Sequence, residues 1–302
     1  MIVSPGSVDD VPRVAALYRA CFDDRVITVA GIRHRQVSAR PEDDLRFWRA
    51  EEGDELIGWS FAGRDAFAAA RTTANAAIVV HPAHRRAGVG SALWEMVSAH
   101  LEAIDARRIV VYSRADEGSV AFVSARGFSL ESTDTTSAVD PRTLPPPPEP
   151  PAGIAIAPMA DYEDDPTPVF EADKASAVDE PGPGDFSGIT YETWGRLIWG
   201  APDSDHDLSV VVTADGVVVG TSFLYSDRET ARAMNAGTGV IRAFRGQGLG
   251  LLMKQHSLAR AAASGITLVI TQNDETNAPM LAINRKLGYA PLSSGHSWVL
   301  ER

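Results

Sequence analysis

The chain has a single cysteine, Cys21, which excludes an intrachain disulfide and any metal site built on several cysteine ligands. It also lacks long hydrophobic runs. Stretches such as residues 76–80 fall far short of the roughly 20 apolar residues of a membrane-spanning helix. The first ten residues include Asp9 and Asp10 and show no basic and apolar leader pattern, so we expect no secretory signal. These features predict a cytoplasmic protein without a membrane partner.

Basic residues are also scarce. The 302 residues include 28 Lys and Arg against 40 Asp and Glu, a formal net charge of −12. Because nucleic-acid binding needs clustered basic side chains, we do not expect a nucleic-acid partner. The negative charge favours cationic substrates such as amines. It still allows an anionic cofactor, because backbone N–H groups at a helix start bind phosphate on an acidic protein. Cys21 lies in an apolar-periodic stretch, which predicts a buried small side chain rather than a nucleophile.

A proline-rich segment divides the chain into halves of similar length. Residues 140–152 read DPRTLPPPPEPPA, a composition typical of an extended linker that cannot form a packed core. We therefore predict an N-terminal domain at residues 1–139, a linker at 140–152 and a C-terminal domain at 153–302.

The two halves carry the same glycine-rich hexapeptide, RRAGVG at residues 85–90 and RGQGLG at residues 245–250. Each follows an apolar, β-branched run and opens a pattern of apolar residues with helical spacing. Asn75 and Asn235 precede the two copies at the same distance, and Gly127 and Gly288 follow them at nearly the same distance. This order predicts a duplicated α/β domain (an α+β mixed sheet with helices on both faces) in tandem.

The glycine turns are suited to binding a phosphate. Glycine accepts positive φ and exposes backbone N–H groups, and the start of a helix adds partial positive charge. A pyrophosphate fits such a turn, with arginine contacts from the same hexapeptide. The alternative is a tight strand-to-helix turn with solvent-facing arginines. A Walker-type loop is excluded because no Gly-Lys-Ser/Thr follows, and the Gly-x-Gly-x-x-Gly spacing of a dinucleotide fold is also missing.

Three segments resemble motifs of the GNAT acetyltransferases. VHPAHRRAGVG at residues 80–90 is similar to that family's acetyl-CoA signature, and VIRAFRGQGLG at 240–250 is a second copy with Arg242 at the usual proline position. NAPMLAINRKLGY at 277–289 is similar to the late helix-and-strand motif. The resemblance covers most of both halves and implies two tandem GNAT folds, as in mycothiol-synthase-like enzymes. It is weakest at residues 1–50 and 153–201, where such domains keep their substrate-selecting helices.

The resemblance implies acetyl-CoA as co-substrate and no metal. The residues that it assigns to acetyl-CoA lie at the strand ends and glycine turns: Val80, Arg85, Arg86, Gly88, Gly90, Ser91, Val240, Arg245, Gly246, Gly248, Gly250 and Leu251. Asn277 matches a family Asn that contacts the cofactor, whereas the first half has Asp116 there. A carboxylate only accepts hydrogen bonds and is unfavourable beside phosphates. We therefore expect the C-terminal half to hold the better acetyl-CoA site.

The usual catalytic side chains of the family are missing from both halves. Where the resemblance implies a Tyr as general acid, this chain has Val123 and Asn284. Asn284 can donate a hydrogen bond to the cofactor sulfur, and Tyr225 is our candidate for the acid. The strand before each turn often carries a Glu in the family, but here it carries Asn75 and Asn235. A water relay or a residue of the variable helices would have to act as base.

Other polar and aromatic residues have competing interpretations. His81 and His84 form an H-x-x-H pair, but we expect no metal because no third ligand lies nearby in sequence. His206, between two aspartates, lines either a substrate mouth or a charged turn. Three aromatic residues near the substrate entrance either pack in the core or contact substrate: Tyr191, Trp194 and Trp199.

The sequence thus predicts an N-acetyltransferase that acts on a small-molecule amine, as a monomer or homodimer, with the C-terminal half more active. The missing acid and base favour an alternative, a non-catalytic acyl-CoA-binding or sensing protein. A third hypothesis is an interaction protein that binds no CoA.

Overall fold

The computed structural model describes residues 1–177, 184 and 186–302, so part of the expected substrate-selecting segment, residues 178–183 and 185, lies outside the described residues. The chain forms two compact units. The first consists mainly of Met1–Thr133 and Gly295–Arg302, and the second of Asp134–Gly182 and Ile189–Ser294. The units differ from the predicted domains because residues 134–139 belong to the second unit and 295–302 to the first.

The first unit is a mixed sheet with helices on both faces. Its strands are β1 (Ile2–Pro5), β2 (Arg46–Glu52), β3 (Glu55–Arg64), β4 (Thr73–Val80) and β5 (Arg108–Arg114). Its helices are α1 (Val11–Cys21), α2 (Val29–Val37), α3 (Val89–Ala103) and α4 (Glu117–Ser124). Strands β1 to β4 pair antiparallel in chain order, and β4 pairs parallel with β5. Strand β6 (Ser129–Val139) follows.

The second unit repeats this order of elements. Its strands are β7 (Ile154–Pro158), β8 (Val210–Ala214), β9 (Val217–Asp227), β10 (Arg232–Val240) and β11 (Leu268–Asp274), and β12 (Ala290–Glu301) closes the chain. Its helices are α5 (Thr167–Ala177), α6 (Tyr191–Trp194), α7 (Leu249–Ala263) and α8 (Ala278–Lys286). Strands β7 to β10 pair antiparallel and β10 pairs parallel with β11, which gives the predicted α/β mixed sheet twice.

The last strand of each half pairs in the sheet of the other unit. Residues 134–139 of β6 pair antiparallel with β11 in the second unit. Residues 295–301 of β12 pair antiparallel with β5 in the first unit. There Trp298 is 5% exposed, and its indole Nε1 donates to Ser113 Oγ at 2.9 Å. Residues 295–302 belong to the first unit, and not to the predicted C-terminal domain, because they complete the β5 edge and bury the Trp298 side chain there.

Helices cover both faces of each sheet, because apolar residues alternate along the strands and recur every three to four residues along the helices. In the first unit, α1 and α2 pack with Trp59 and Val79, and α3 and α4 pack on the other face with Ile57 and Ile109. In the second unit, α7 and α8 share one hydrophobic cluster over Val269. Among the described helices, none is long and apolar enough to cross a membrane.

Candidate active site

The central parallel strands separate at the same point in both units. β4 pairs with β5 from Thr73 to Asn75, although β4 continues to Val80. β10 pairs with β11 from Arg232 to Asn235 and continues to Val240. The unpaired part of each strand offers backbone N–H and C=O groups along an open cleft. Such groups pair with an extended ligand in the same way as a strand is added to a sheet edge.

A glycine turn follows each separated strand and opens a 15-residue helix. In the first unit, Arg86 has φ 65° and Gly88 has φ 85°. At the matching positions of the second unit, Gly246 has φ 79° and Gly248 has φ 78°. Neither helix start has a side-chain cap, so the first N–H groups of α3 and α7 are available to a ligand. Both turns therefore have the form of an anion site at a helix N-terminus.

The first arginine of each hexapeptide holds its own loop. Arg85 Nε donates to the carbonyl of Val80 at 3.3 Å, and Arg245 Nε donates to that of Val240 at 2.8 Å. The sequence predicted that these arginines contact the pyrophosphate. In the structure, the Nε of each guanidinium instead connects the turn to the end of the preceding strand. Cys21 is buried as predicted, and its Sγ donates to Val80 O at 3.5 Å. Burial raises the pKa of the Cys21 thiol.

The two turns differ in the space beside the second glycine of the motif. A Cβ added at Gly90 would lie 3.0 Å from the Phe122 ring, whereas a Cβ at Gly250 would lie 3.5 Å from Ile283. In the first unit the Arg126 guanidinium stacks 3.4 Å from the Phe122 ring centroid and donates to Ser91 Oγ at 3.1 Å. The first turn is therefore the more crowded of the two.

The sequence matches the model of the acetyltransferase (GNAT) family twice, at residues 12–128 and 174–289. The chain belongs to this family. It is 28% identical over 248 residues to a mycothiol acetyltransferase of Saccharomonospora viridis, a match that covers 78% of this chain and 76% of that protein. The resemblance inferred from the glycine motifs is confirmed.

Solved structures of GNAT proteins share the tandem fold. A tandem GNAT protein from the clavulanic acid biosynthesis pathway has a TM-score of 0.74 and 21% identity, with 99% of this chain and 98% of that chain covered. A GCN5-related N-acetyltransferase from Sphaerobacter thermophilus has a TM-score of 0.72 and 19% identity, with 99% and 95% covered. At these identities the likeness shows the fold alone.

The predicted cofactor-contacting Asn and its counterpart both begin a helix. Asn277 Oδ1 accepts from Met280 N at 3.3 Å at the start of α8. Asp116 accepts from Ser119 N at 2.9 Å at the start of α4. Burial alone would raise the pKa of the Asp116 carboxyl, but hydrogen bonds from Ser119 and the nearby charge of Arg85 together lower it, so this side chain is anionic at neutral pH. Only the second unit therefore presents a neutral amide at this position of the GNAT fold.

The two residues predicted for catalysis lie apart along the second unit. Asn284, at the position of the family's Tyr, is 4% exposed, and its Nδ2 donates to Asn273 Oδ1 at 2.6 Å. Within the described residues its Oδ1 has no hydrogen-bond partner. Tyr225 pairs with Met234 and forms a bridge with Ser204, so it lies beside the paired part of β10 and not beside the open part.

The sequence interpretation missed two ionisable residues in the second unit, the half-buried Asp173 and the buried Lys254. On α5, Asp173 accepts from Trp194 Nε1 at 2.9 Å and from Thr221 Oγ1 at 3.2 Å. Burial raises the pKa of the Asp173 carboxyl despite these donors, a property that suits a proton acceptor. On α7, Lys254 is 1% exposed. The signal available in the sequence was a lysine directly after Leu252 and Met253 of the apolar stripe.

The histidine pair has an acidic neighbour that sequence spacing did not show. His84 Nε2 lies 3.6 Å from Glu55 Oε1, and His81, His84 and Glu55 offer ligand atoms within 4.8 Å of one another. The argument that no third ligand is near is therefore wrong. His84 Nδ1 also lies 3.5 Å from Glu52 Oε2, so His84 lies between two glutamate side chains.

The three aromatic residues predicted near the substrate entrance, Tyr191, Trp194 and Trp199, form one stacked group. Trp194 is fully buried against Phe170 and Phe223, whereas Tyr191 is 45% exposed. His206 stacks on Trp199 at 3.9 Å, and its Nδ1 lies 2.5 Å from Glu163 Oε1. Both residues line a cavity of about 410 Å³. Trp194 is thus a core residue, while Tyr191 and His206 remain accessible to a substrate.

Proposed function

We propose that the protein is an acetyl-CoA-dependent N-acetyltransferase that acetylates a small-molecule amine, and that the second unit is the catalytic one. The observation that carries this proposal is the combination of an uncapped glycine turn with an open cleft between β10 and β11. The less crowded Gly250 and the neutral Asn277 support the choice of the second unit.

The residues present fit acetyl-CoA. The N–H groups at the start of α7 and the left-handed Gly246 and Gly248 would hold the pyrophosphate, because a Cβ at either glycine would meet only open space within 4 Å. The open part of β10 would hold the extended pantetheine arm. When bound, acetyl-CoA supplies an activated acyl thioester. This chain's own task is to orient it, to exclude water and to place donors where negative charge develops.

Proton handling falls to residues other than the family's Tyr. An amide cannot release a proton at neutral pH, so Asn284 acts by hydrogen bonding. Asp173 is the carboxylate that accepts a proton from the attacking amine in this proposal, since a raised pKa brings a carboxyl nearer the working pH. Tyr225 remains a candidate for the proton donor. We also place the protein in the cytoplasm, as a monomer or homodimer; its one buried cysteine is compatible with a reducing compartment.

The test is thiol release from acetyl-CoA with a panel of small amines, together with calorimetric binding of acetyl-CoA alone. We expect binding without amine and release of CoA with at least one amine. Asp173→Asn should lower kcat about 10²-fold or more, the range typical of a lost general base.

A second function is favoured by one observation, the replacement of the family's Tyr by Val123 and Asn284. A protein that binds acyl-CoA as a sensor needs the turn and the cleft but no proton donor. Tight binding of acetyl-CoA with no thiol release for any amine would establish this alternative and reject the enzyme. Absence of binding at saturating concentration would reject both.

A further inference from the structure

A buried lysine lies beside the point where β10 and β11 separate. Lys254 Nζ donates to Asn235 Oδ1 at 2.8 Å and lies 5.0 Å from the centroid of the Tyr289 ring. Asn235 and Thr271 are the last paired residues of the two strands. Within the described residues no charged partner acts on Lys254, and burial lowers the pKa of its ammonium group to about 7. Burying a charged ammonium group without a counter-ion lowers the stability of the folded protein.

Asn235 is the centre of a buried hydrogen-bond network at an irregular point of β10. Its Nδ2 donates to Phe223 O at 3.0 Å, Ser222 Oγ at 3.1 Å and Gly237 O at 3.4 Å. Its Oδ1 accepts from Thr238 Oγ1 at 3.0 Å as well as from Lys254. Turning the amide over would set its Nδ2 against the ammonium and its Oδ1 against two carbonyls. Lys254 and these two carbonyls therefore fix the orientation of this amide together.

The amide in turn spans a β-bulge. The register between β9 and β10 shifts between Asn235 and Gly237, so Ala236 has no partner on β9 within the described strands, and pairing with β11 has already ended. A bulge changes the direction of backbone groups and is often found beside active sites. Here it lies where the cleft opens.

The first unit provides an internal comparison. It has Asn75 at the position of Asn235 but Trp94 at the position of Lys254. Its register between β3 and β4 runs without a shift from Arg64↔Ala74 to Gly58↔Val80. In the first unit, Asn75 lies in a strand of regular register and has no lysine at the matching position of α3. In the second unit, Asn235 bonds to Lys254 and lies at a bulge.

We propose that Lys254 is a positioning residue for acyl transfer in the second unit: it orients Asn235, and Asn235 holds the bulge that sets the backbone of β10 at the head of the cleft. This inference rests on the proposed function. Backbone donors that are held rigidly where charge develops lower the barrier of acyl transfer.

The charge of Lys254 gives this role a pH signature. The ammonium makes a charge-assisted hydrogen bond to Asn235, which is stronger than the bond from a neutral amine. The titratable side chain packed against it is Tyr289, whose pKa burial raises far above neutral, and the contacts from β10 come from uncharged Asn235. We therefore expect kcat at saturating amine to fall as pH rises through about 7, the pKa of Lys254.

The experiment compares Lys254→Met, Lys254→Gln and the matched control Trp94→Met, measured by thiol release from acetyl-CoA between pH 5.5 and 9. We expect Lys254→Met to lower kcat about tenfold or more, to leave KM for acetyl-CoA within about twofold and to lose the titration near pH 7. Lys254→Gln keeps a donor without charge and should recover part of kcat but not the titration. Trp94→Met should leave kcat and its pH profile unchanged. A Lys254→Met enzyme with wild-type kcat and pH profile would overturn the proposal.

A structural readout separates this inference from the proposed function. If wild-type protein acetylates no amine, the proposed function fails, and amide hydrogen exchange still tests Lys254. We expect faster exchange at Gly237 and Thr238 in Lys254→Met than in wild type, with unchanged exchange at Ala77 and Ile78 of the first unit. Equal exchange at Gly237 and Thr238 in both proteins would show that Lys254 does not hold the bulge.

Discussion

At the scale of single residues, we predict that Lys254 lowers the free energy of unfolding while it orients Asn235. Its pKa is about 7 in the folded protein, below the ordinary 10.5, so the unfolded chain binds more protons between these values. The free energy of unfolding should therefore rise with pH from about 7 to 10.5 and be lowest below 7. Lys254→Met should be more stable by roughly 1–4 kcal/mol at pH 7 and lose this pH dependence. Urea unfolding at pH 6.5 and 9.5 measures both effects, and a less stable Met variant would contradict them.

The sequence predicted a positive φ in the glycine turns, but it did not reveal the contacts of Lys254 and Asp173. The first glycine of the Gly-x-Gly pair has the expected positive φ in both copies, at Gly88 and Gly248, because few other residues accept it. The second glycine instead lies in the helix that follows. Lys254 and Asp173 instead form hydrogen bonds with residues distant in sequence, Asn235 and Thr221. A helical pattern assigns charged side chains to solvent, so only the packed structure reveals them.

At the scale of elements, the two glycine turns allow a matched test of which unit works. Gly88 and Gly248 both have positive φ, and a Cβ at either would meet no atom within 4 Å. Valine at each position should thus cost a similar strain of roughly 1–2 kcal/mol. We expect Gly248→Val to lower turnover about 10²-fold by blocking the anion site, and Gly88→Val to leave it within about twofold. Equal losses of melting temperature in the two variants would show that the strain is similar. The reverse pattern of turnover would indicate that the first unit is catalytic.

Element types and order were predictable because they depend on local patterns. The apolar, β-branched runs before the two glycine turns correspond to β4 and β10, and the helical patterns after the turns correspond to α3 and α7. The bulge at Asn235 was not predictable. The first unit shares its Asn and has no register shift, so the difference depends on a contact across helix and sheet.

At the scale of the whole molecule, the sequence did not predict the exchange of the last strands, in which β6 pairs with β11 and β12 pairs with β5. Alternating apolar residues predict that a segment forms a strand, but they do not say which of two similar sheet edges it joins. In a duplicated chain, β5 and β11 offer equivalent edges, so β6 and β12 each had two plausible positions. The choice depends on contacts such as that of the Trp298 indole with Ser113 Oγ, whose residues are 185 positions apart.

The exchange predicts that the first half of the chain cannot fold alone. A fragment of residues 1–139 would lack residues 295–301, which pair with β5 in the full chain, and would leave the site of Trp298 empty even if β6 took their place. Loss of a buried Trp alone costs roughly 3–5 kcal/mol, a large part of a domain's usual 5–15 kcal/mol. We expect the fragment to show no cooperative thermal transition by circular dichroism, and a peptide of residues 290–302 to restore one. The same peptide with Trp298→Ala should restore it poorly. Cooperative melting of the fragment alone would mean that the local domain at residues 1–139 is self-sufficient, and that the exchanged strand adds no essential contact.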